Sequence, residues 1–165
     1  MDREPDQGLT RIPDENDLVK LARELNRLGV SYVVIGGFAI NRLGLVRATD
    51  DLDLLIARDA ANQALVKKAL EILPDKAVRE LADDDLAHWV VVRVNDDIPV
   101  DLMTEACGVT YEDARGGIEV IDVAGVGIPF AGAELMLKMK QGLREKDSAD
   151  RSFLQELIKG RRAQE

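Results

Sequence analysis

The sequence predicts an α/β (α+β) domain, a small mixed β-sheet flanked by helices, and three observations carry that expectation. Short β-branched runs such as Ser31-Tyr32-Val33-Val34-Ile35 interleave with segments whose leucines recur at three- and four-residue steps. Two apolar runs separated by Asn95-Asp96-Asp97 have the form of a hairpin. Two further helical segments close the chain as a C-terminal helical pair.

Taken in order, residues 1–13 are polar, hold two prolines and read as a flexible N-terminal arm, with residues 14–165 as a single domain. A helix is expected from Glu15 to Leu28. Leu18, Leu21, Ala22, Leu25 and Leu28 fall on one face, Asp14 or Asn16 caps the start, and Gly29 ends it. The run from Ser31 to Ile35 is a buried strand that stops at Gly36-Gly37. A short helix from Phe38 to Leu43 is closed by Gly44, and a second strand is expected from Asp51 to Ala57. Ala60 to Ile72 is helical in pattern until Pro74-Asp75 breaks it. The hairpin strands run from Ala87 to Val94 and from Ile98 to Thr104. Val109 to Gly117 is irregular or briefly helical, and Ile118 to Phe130 is strand-like. Helices from Ala133 to Leu143 and from Ser148, a plausible cap, to Ile158 complete the chain.

Composition narrows the chemistry. The chain has 165 residues, 31 acidic against 22 basic, for a formal net charge of -9. Broad non-specific grip on nucleic acid or anionic lipid needs a basic face, so a nucleic-acid partner is disfavoured, although a local basic patch near Lys138–Arg144 could override the balance. The longest apolar stretch, Val33 to Ile40, is too short to cross a bilayer, and the first residues lack the layout of a signal peptide. The expected location is therefore cytoplasmic, with no membrane partner. Cys107 and His88 are each the sole residue of their type, which excludes an internal disulfide and a Cys/His zinc site within one chain. The chemistry must run on carboxylates, basic residues and backbone.

Two segments concentrate it. Val33-Val34-Ile35-Gly36-Gly37-Phe38-Ala39 is a strand, two glycines and a helix start. Glycine lets a bulky anion approach the backbone, and a helix N-terminus presents free N–H groups toward it. The same joint also serves as an ordinary tight turn. Further on, Asp51-Leu52-Asp53 sits on a strand, where residues two apart share a face roughly 6.6 Å from each other. Two carboxylates on one face of an otherwise apolar strand repel, and a divalent cation resolves the conflict; oxygen-only ligands suit Mg²⁺ or Mn²⁺. In an aspartate-rich chain such a pair also arises by accident. Asp83-Asp84-Asp85 contains one without flanking apolar alternation and reads as a solvated loop. A third acid, Asp101, lies in mid-strand between Val100 and Leu102, a position where aspartate is depleted. If its strand neighbours that of Asp51 and Asp53, three carboxylates converge, as two-metal phosphoryl transfer requires; otherwise Asp101 is an edge-strand residue facing water.

The combination Gly36-Gly37, residues 38–50, Asp51-Leu52-Asp53 and a distal Asp101 resembles the nucleotidyltransferase fold of the DNA polymerase β superfamily. Within it, Gly-Gly-x-Ala…Arg-x-Thr-x-Asp-x-Asp with a late basic and acidic segment looks most like the AbiEii-type and minimal nucleotidyltransferases, several of which belong to bacterial toxin–antitoxin systems. The resemblance implies that Gly36 and Gly37 contact the triphosphate of an NTP, and that Asp51, Asp53 and Asp101 hold the metal and carry catalysis. Many relatives have Ser where Gly37 stands, so that hydroxyl contact is missing. The implied reaction moves NMP from NTP to a hydroxyl acceptor on a protein, a small molecule or RNA. The implied partners are the NTP, a toxin or antitoxin protein, or a second copy in a homodimer. The alternatives are a catalytically silent nucleotide-binding or protein-interaction module on the same fold, and a small-molecule modifier such as an antibiotic adenylyltransferase.

Other residues have two readings each. Arg47 and Thr49 precede the acid pair; Arg47 either neutralises phosphate charge or is a loop arginine, and both residues are assigned to the nucleotide site. The segment Lys138 to Asp150 resembles the Lys…Arg-x-Lys-Asp-x-x-Asp signature of AbiEii-like domains. If its helix runs on, Lys140, Arg144 and Asp147 share a face, with Lys140 and Arg144 turned to the nucleotide and Asp147 and Asp150 orienting them. The bland reading is a solvated helix with internal ion pairs. His88, at a strand start, reads as structural, and Trp89 and Phe130 as core residues.

Overall fold

The structure, a computed structural model, describes residues 10–141 and 145–164. Its helices and strands surround one sheet in the order expected for a mixed α/β chain. Helix α1 (Glu15–Arg27) starts at a reciprocal cap, Asp14 accepting from the Asp17 amide and Asp17 from the Asp14 amide. Leu18, Leu21, Ala22 and Leu25 are its buried face, as their spacing dictates. Strand β1 (Tyr32–Ile35) runs straight into α2 (Gly36–Leu43), and β2 (Leu52–Ile56) follows. Helix α3 (Ala60–Leu70) is capped by Asp59. A short helix α4 (Asp85–His88) leads into the hairpin of β3 (Val91–Asn95) and β4 (Pro99–Met103). A two-stranded ribbon of β5 (Glu105–Ala106) and β6 (Val109–Thr110) and the single-turn α5 (Tyr111–Ala114) come next. Strands β7 (Ile118–Val123) and β8 (Val126–Ala131) form a second hairpin, and α6 (Ala133–Met139) and α7 (Glu145–Ala163) end the chain.

The six-stranded sheet has the order β3-β4-β2-β1-β8-β7. Strand β2 is central, antiparallel to β1 and parallel to β4. Register sorts the side chains onto two faces. Tyr32, Val34, Leu52, Leu54, Ile56, Val100, Leu102, Val92 and Val94 share one face, and all are buried. The opposite face carries Val33, Ile35, Leu55, Asp53, Asp101, Met103 and Arg93. Helix α1 packs on α3 and β8, while α2 packs on β1, β2 and α6.

Several expectations need correction. Ala87 and His88 belong to a helical turn, not to a strand: the amides of both donate to the Asp84 carbonyl, and pairing with β4 begins only at Val91. The acidic residues Asp84 and Asp85 at the start of this turn favour it through the helix dipole. Trp89, expected in the core, is 65% exposed beside it, whereas Phe130 is buried as expected. The stretch from Ile118 to Phe130 is a hairpin turning at Ala124-Gly125, because the Gly125 amide donates to the Asp122 side chain there. Helix α6 stops at Met139, where Lys140 leaves helical geometry (φ -108, ψ 41). The expected helix end at Leu143 lies outside the described residues. Helix α7 begins upstream of Ser148, which is therefore an interior residue and not its cap. Of the N-terminal arm, residues 1–9 lie outside the described residues; Arg11 is fastened to Asp97 by backbone and side chain and to Asp17 by side chain.

Candidate active site

The three acids meet because of register. Strand β4 lies beside β2 with Asp101 opposite Asp53, and Asp51 stands one residue before β2 begins. Each offers a carboxylate oxygen, and these oxygens all lie within 4.8 Å of one another. By contrast, Asp83 and Asp84 are exposed as expected, whereas Asp85 starts α4, is half-buried and accepts from the Ala82 amide, so the run is not a loop throughout.

Both glycines are required by close packing at the end of β1. Gly36 has φ 70, a left-handed conformation, and a Cβ there would overlap the Asp53 carboxylate. A Cβ on Gly37 would overlap the Thr49 side chain, whose Oγ1 donates to the Asp51 carbonyl at 3.1 Å. A serine at position 37 therefore has no room unless Thr49 withdraws. No side chain caps the N-terminus of α2. Gly36 and Gly37 line the same cavity as the acids, a volume of about 530 Å³ lined also by Arg47, Arg93 and Lys140.

Two cations of this cavity, Arg47 and Lys140, are held from α7. Asp150 is fully buried and receives Arg47 at 3.1 Å (Nε) and 2.9 Å (Nη2), and Lys140 Nζ at 3.2 Å. Asp147 stands 3.5 Å from Lys140 Nζ, and Arg151 Nη1 donates to the Lys140 carbonyl at 2.8 Å. Lys140 and Asp147 do not lie on one continuous helix, because α6 ends at Met139 and Asp147 belongs to α7. Arg144 lies outside the described residues. Asp147 and Asp150 reach Lys140 from the following helix instead.

Sequence reasoning missed Arg93. Its Nε and Nη2 donate to the two oxygens of Asp101, each at 2.8 Å, and Nη2 also donates to Asp51 Oδ2 at 2.7 Å. A signal existed: Arg93 and Asp101 are equidistant from the turn of the hairpin, which places them opposite each other. The electrostatics of the three acids diverge as a result. Burial first, then the charges of Asp51 and Asp101, push the Asp53 carboxyl up to about 7, with Lys140 acting the other way. Burial also raises Asp101, but the hydrogen bonds and charge of Arg93 outweigh it and hold Asp101 below the usual carboxylate range. The hydrogen bond to Asp101 in turn raises Arg93 further above its ordinary value.

A set of oxygen donors this close, with one member resisting ionisation, suits a hard divalent cation such as Mg²⁺ or Mn²⁺ and does not suit zinc.

No protein-family model and no curated protein matches the chain. Solved structures do match its fold. One is a provisionally assigned nucleotidyltransferase from Thermotoga maritima, 19% identical, with a TM-score of 0.55 over 90% of this chain and 98% of that one. Another is the lincosamide antibiotic adenylyltransferase LnuA with lincomycin bound, 18% identical, with a TM-score of 0.58 over 90% of this chain and 99% of that one. The chain therefore has a nucleotidyltransferase-like fold: a mixed sheet with helices on both sides, at the size of these small proteins.

Proposed function

We propose that the chain is a metal-dependent nucleotidyltransferase that moves NMP from NTP to a hydroxyl acceptor and releases pyrophosphate. One observation carries the reading: Asp51, Asp53 and Asp101 converge beside the Gly36-Gly37 joint, in a cavity that also holds Lys140 and Arg47. A triphosphate and three carboxylates cannot share such a space without cations. Asp51, Asp53 and Asp101 would hold Mg²⁺ or Mn²⁺, which when bound neutralises the triphosphate and the attacking oxygen. The amides at Gly36-Gly37, the Thr49 hydroxyl, Arg47 and Lys140 bind and orient the phosphates. The acceptor oxygen bonds to the α-phosphorus as the bond to the bridging oxygen breaks, and its proton passes to Asp101. With both oxygens held by Arg93, Asp101 is a poor base, so its grip must loosen during the reaction.

The finer assignments belong to this reading. The net charge of -9 suits a basic protein partner, as the AbiEii-type and toxin–antitoxin reading requires. A small-molecule acceptor is favoured by the apolar residues Val90, Val91, Met103, Met136 and Met139 among the cavity's lining; LnuA, of the same fold, was solved with an antibiotic bound. The test is titration of Mg·ATP, Mg·GTP, Mg·CTP and Mg·UTP into the protein and into Asp53→Asn, with transfer of labelled NMP followed in parallel. Wild type binds at least one nucleotide only with Mg²⁺, and Asp53→Asn loses at least tenfold in affinity. Equal, metal-independent binding by both proteins overturns the reading.

A further inference from the structure

Arg93 occupies the ground a cation needs. Its guanidinium takes both oxygens of Asp101 in a fork and, with the same Nη2, one oxygen of Asp51. These are two of the three carboxylates whose oxygens lie within 4.8 Å of one another. An oxygen that accepts a short hydrogen bond from a guanidinium has that direction closed to a metal ion. The contact is also built for release. Strand β3 is the edge of the sheet, and the Arg93 side chain is 48% exposed, against 11% for Asp101. A freed guanidinium therefore has water beside it to turn into. The span matters as well. From β3, Arg93 must reach past β4 to the start of β2, two strand spacings of about 4.8 Å each. The planar fork of arginine bridges both acids; the compact ammonium of lysine meets one at a time.

We propose that Arg93 is a built-in counter-cation of the acid cluster, a positioning residue that ties Asp51 to Asp101 in the metal-free protein and must loosen its hold on both when a divalent cation enters. Metal binding and the full set of Arg93 contacts to these two acids then exclude each other. Arg93 weakens metal affinity while keeping the carboxylates assembled in the cation's absence. This inference rests on reading the three acids as a divalent-cation site, and the experiment separates the two.

The probe is Mn²⁺ alone, without nucleotide, added to the full chain and followed by the electron paramagnetic resonance signal of free Mn²⁺. Wild type, Arg93→Met, Arg93→Lys and Asp53→Asn are compared, with circular dichroism checking the fold of each. The expected result is Mn²⁺ binding at least tenfold tighter in Arg93→Met and at least threefold tighter in Arg93→Lys than in wild type, and lost in Asp53→Asn. Wild-type binding with both Arg93 variants within twofold of it, or weaker, overturns the inference and leaves the metal site standing. Tightening in Arg93→Met with Arg93→Lys equal to wild type also overturns it, because charge alone then explains the effect. Absence of Mn²⁺ binding from every protein, or equal binding by Asp53→Asn, overturns the metal site and the inference with it. If Arg93→Met does not fold without metal, Arg93→Lys decides: tighter binding supports the exclusion, and equality overturns it.

Discussion

Asp53 lies between two other carboxylates, beneath a glycine that leaves it just enough space. With its carboxyl raised to about 7 in the folded chain and near 3.8 when unfolded, the folded state binds the extra proton between those values. The associated stability is complete below about pH 4, declines as pH rises, and is lost above about pH 7. Thermal melting in EDTA should accordingly fall from pH 5 to pH 8, with the slope reduced by Mg²⁺ and by Asp53→Asn. An identical slope in wild type and Asp53→Asn would remove Asp53 as its source. Asp101 shifts the other way and acts only at pH values below this window. The acids were legible in the sequence because each interrupts an apolar alternation, and a two-residue period fixes the face. Arg93's place opposite Asp101 could be counted from the hairpin turn, but its reach to Asp51 could not, since an arginine on an alternating edge strand looks the same whether it meets solvent or a carboxylate two strands away. Trp89 was misread for a related reason: a lone aromatic beside valines carries no period that places it inside or out.

At the scale of elements, the sharpest dependence is of the cavity's cations on α7. Asp150 is fully buried and is a partner of both Arg47 and Lys140. Removing one member of such a buried group leaves uncompensated charge, a loss of about 3 kcal/mol. Asp150→Asn should lower the unfolding free energy measured in urea by that amount while Asp147 still reaches Lys140; a change below about 0.5 kcal/mol, the range of ordinary surface substitutions, would show that α7 does not hold the cavity together. The expected pairing of Asp147 and Asp150 with nearby cations was readable from residue type and spacing. The route was not, because no proline or glycine at Lys140 itself marks the end of α6 after Met139. Most element bounds were legible: β1, β2 and β4, and likewise α1, α2 and α3, lie within a residue or two of expectation, as apolar patterns bounded by polar residues and glycines must. The segment from Ala87 to Val90 went astray because an apolar run of that length fits a helical turn as well as a strand.

For the whole molecule, the decisive fact is the strand order. The sequence showed a hairpin of Arg93 and Asp101 strands and a separate Asp53 strand, but local pattern cannot say which strands adjoin. The parallel pairing of β2 with β4 supplies that, and it brings Asp101 opposite Asp53. Two solved nucleotidyltransferase-fold structures share the architecture over 90% of the chain. No helix among the described residues is long and apolar enough to cross a membrane. The central claim, that the three acids and the glycine joint together receive a metal-bound triphosphate, is tested most directly by crystals of the full chain soaked with Mn²⁺ and a non-hydrolysable nucleoside triphosphate. The account predicts anomalous Mn²⁺ density in contact with Asp51, Asp53 and Asp101, and phosphate density against the Gly36-Gly37 amides. Saturating Mn²⁺ with no density at these acids, or a triphosphate bound elsewhere on the protein, would contradict it.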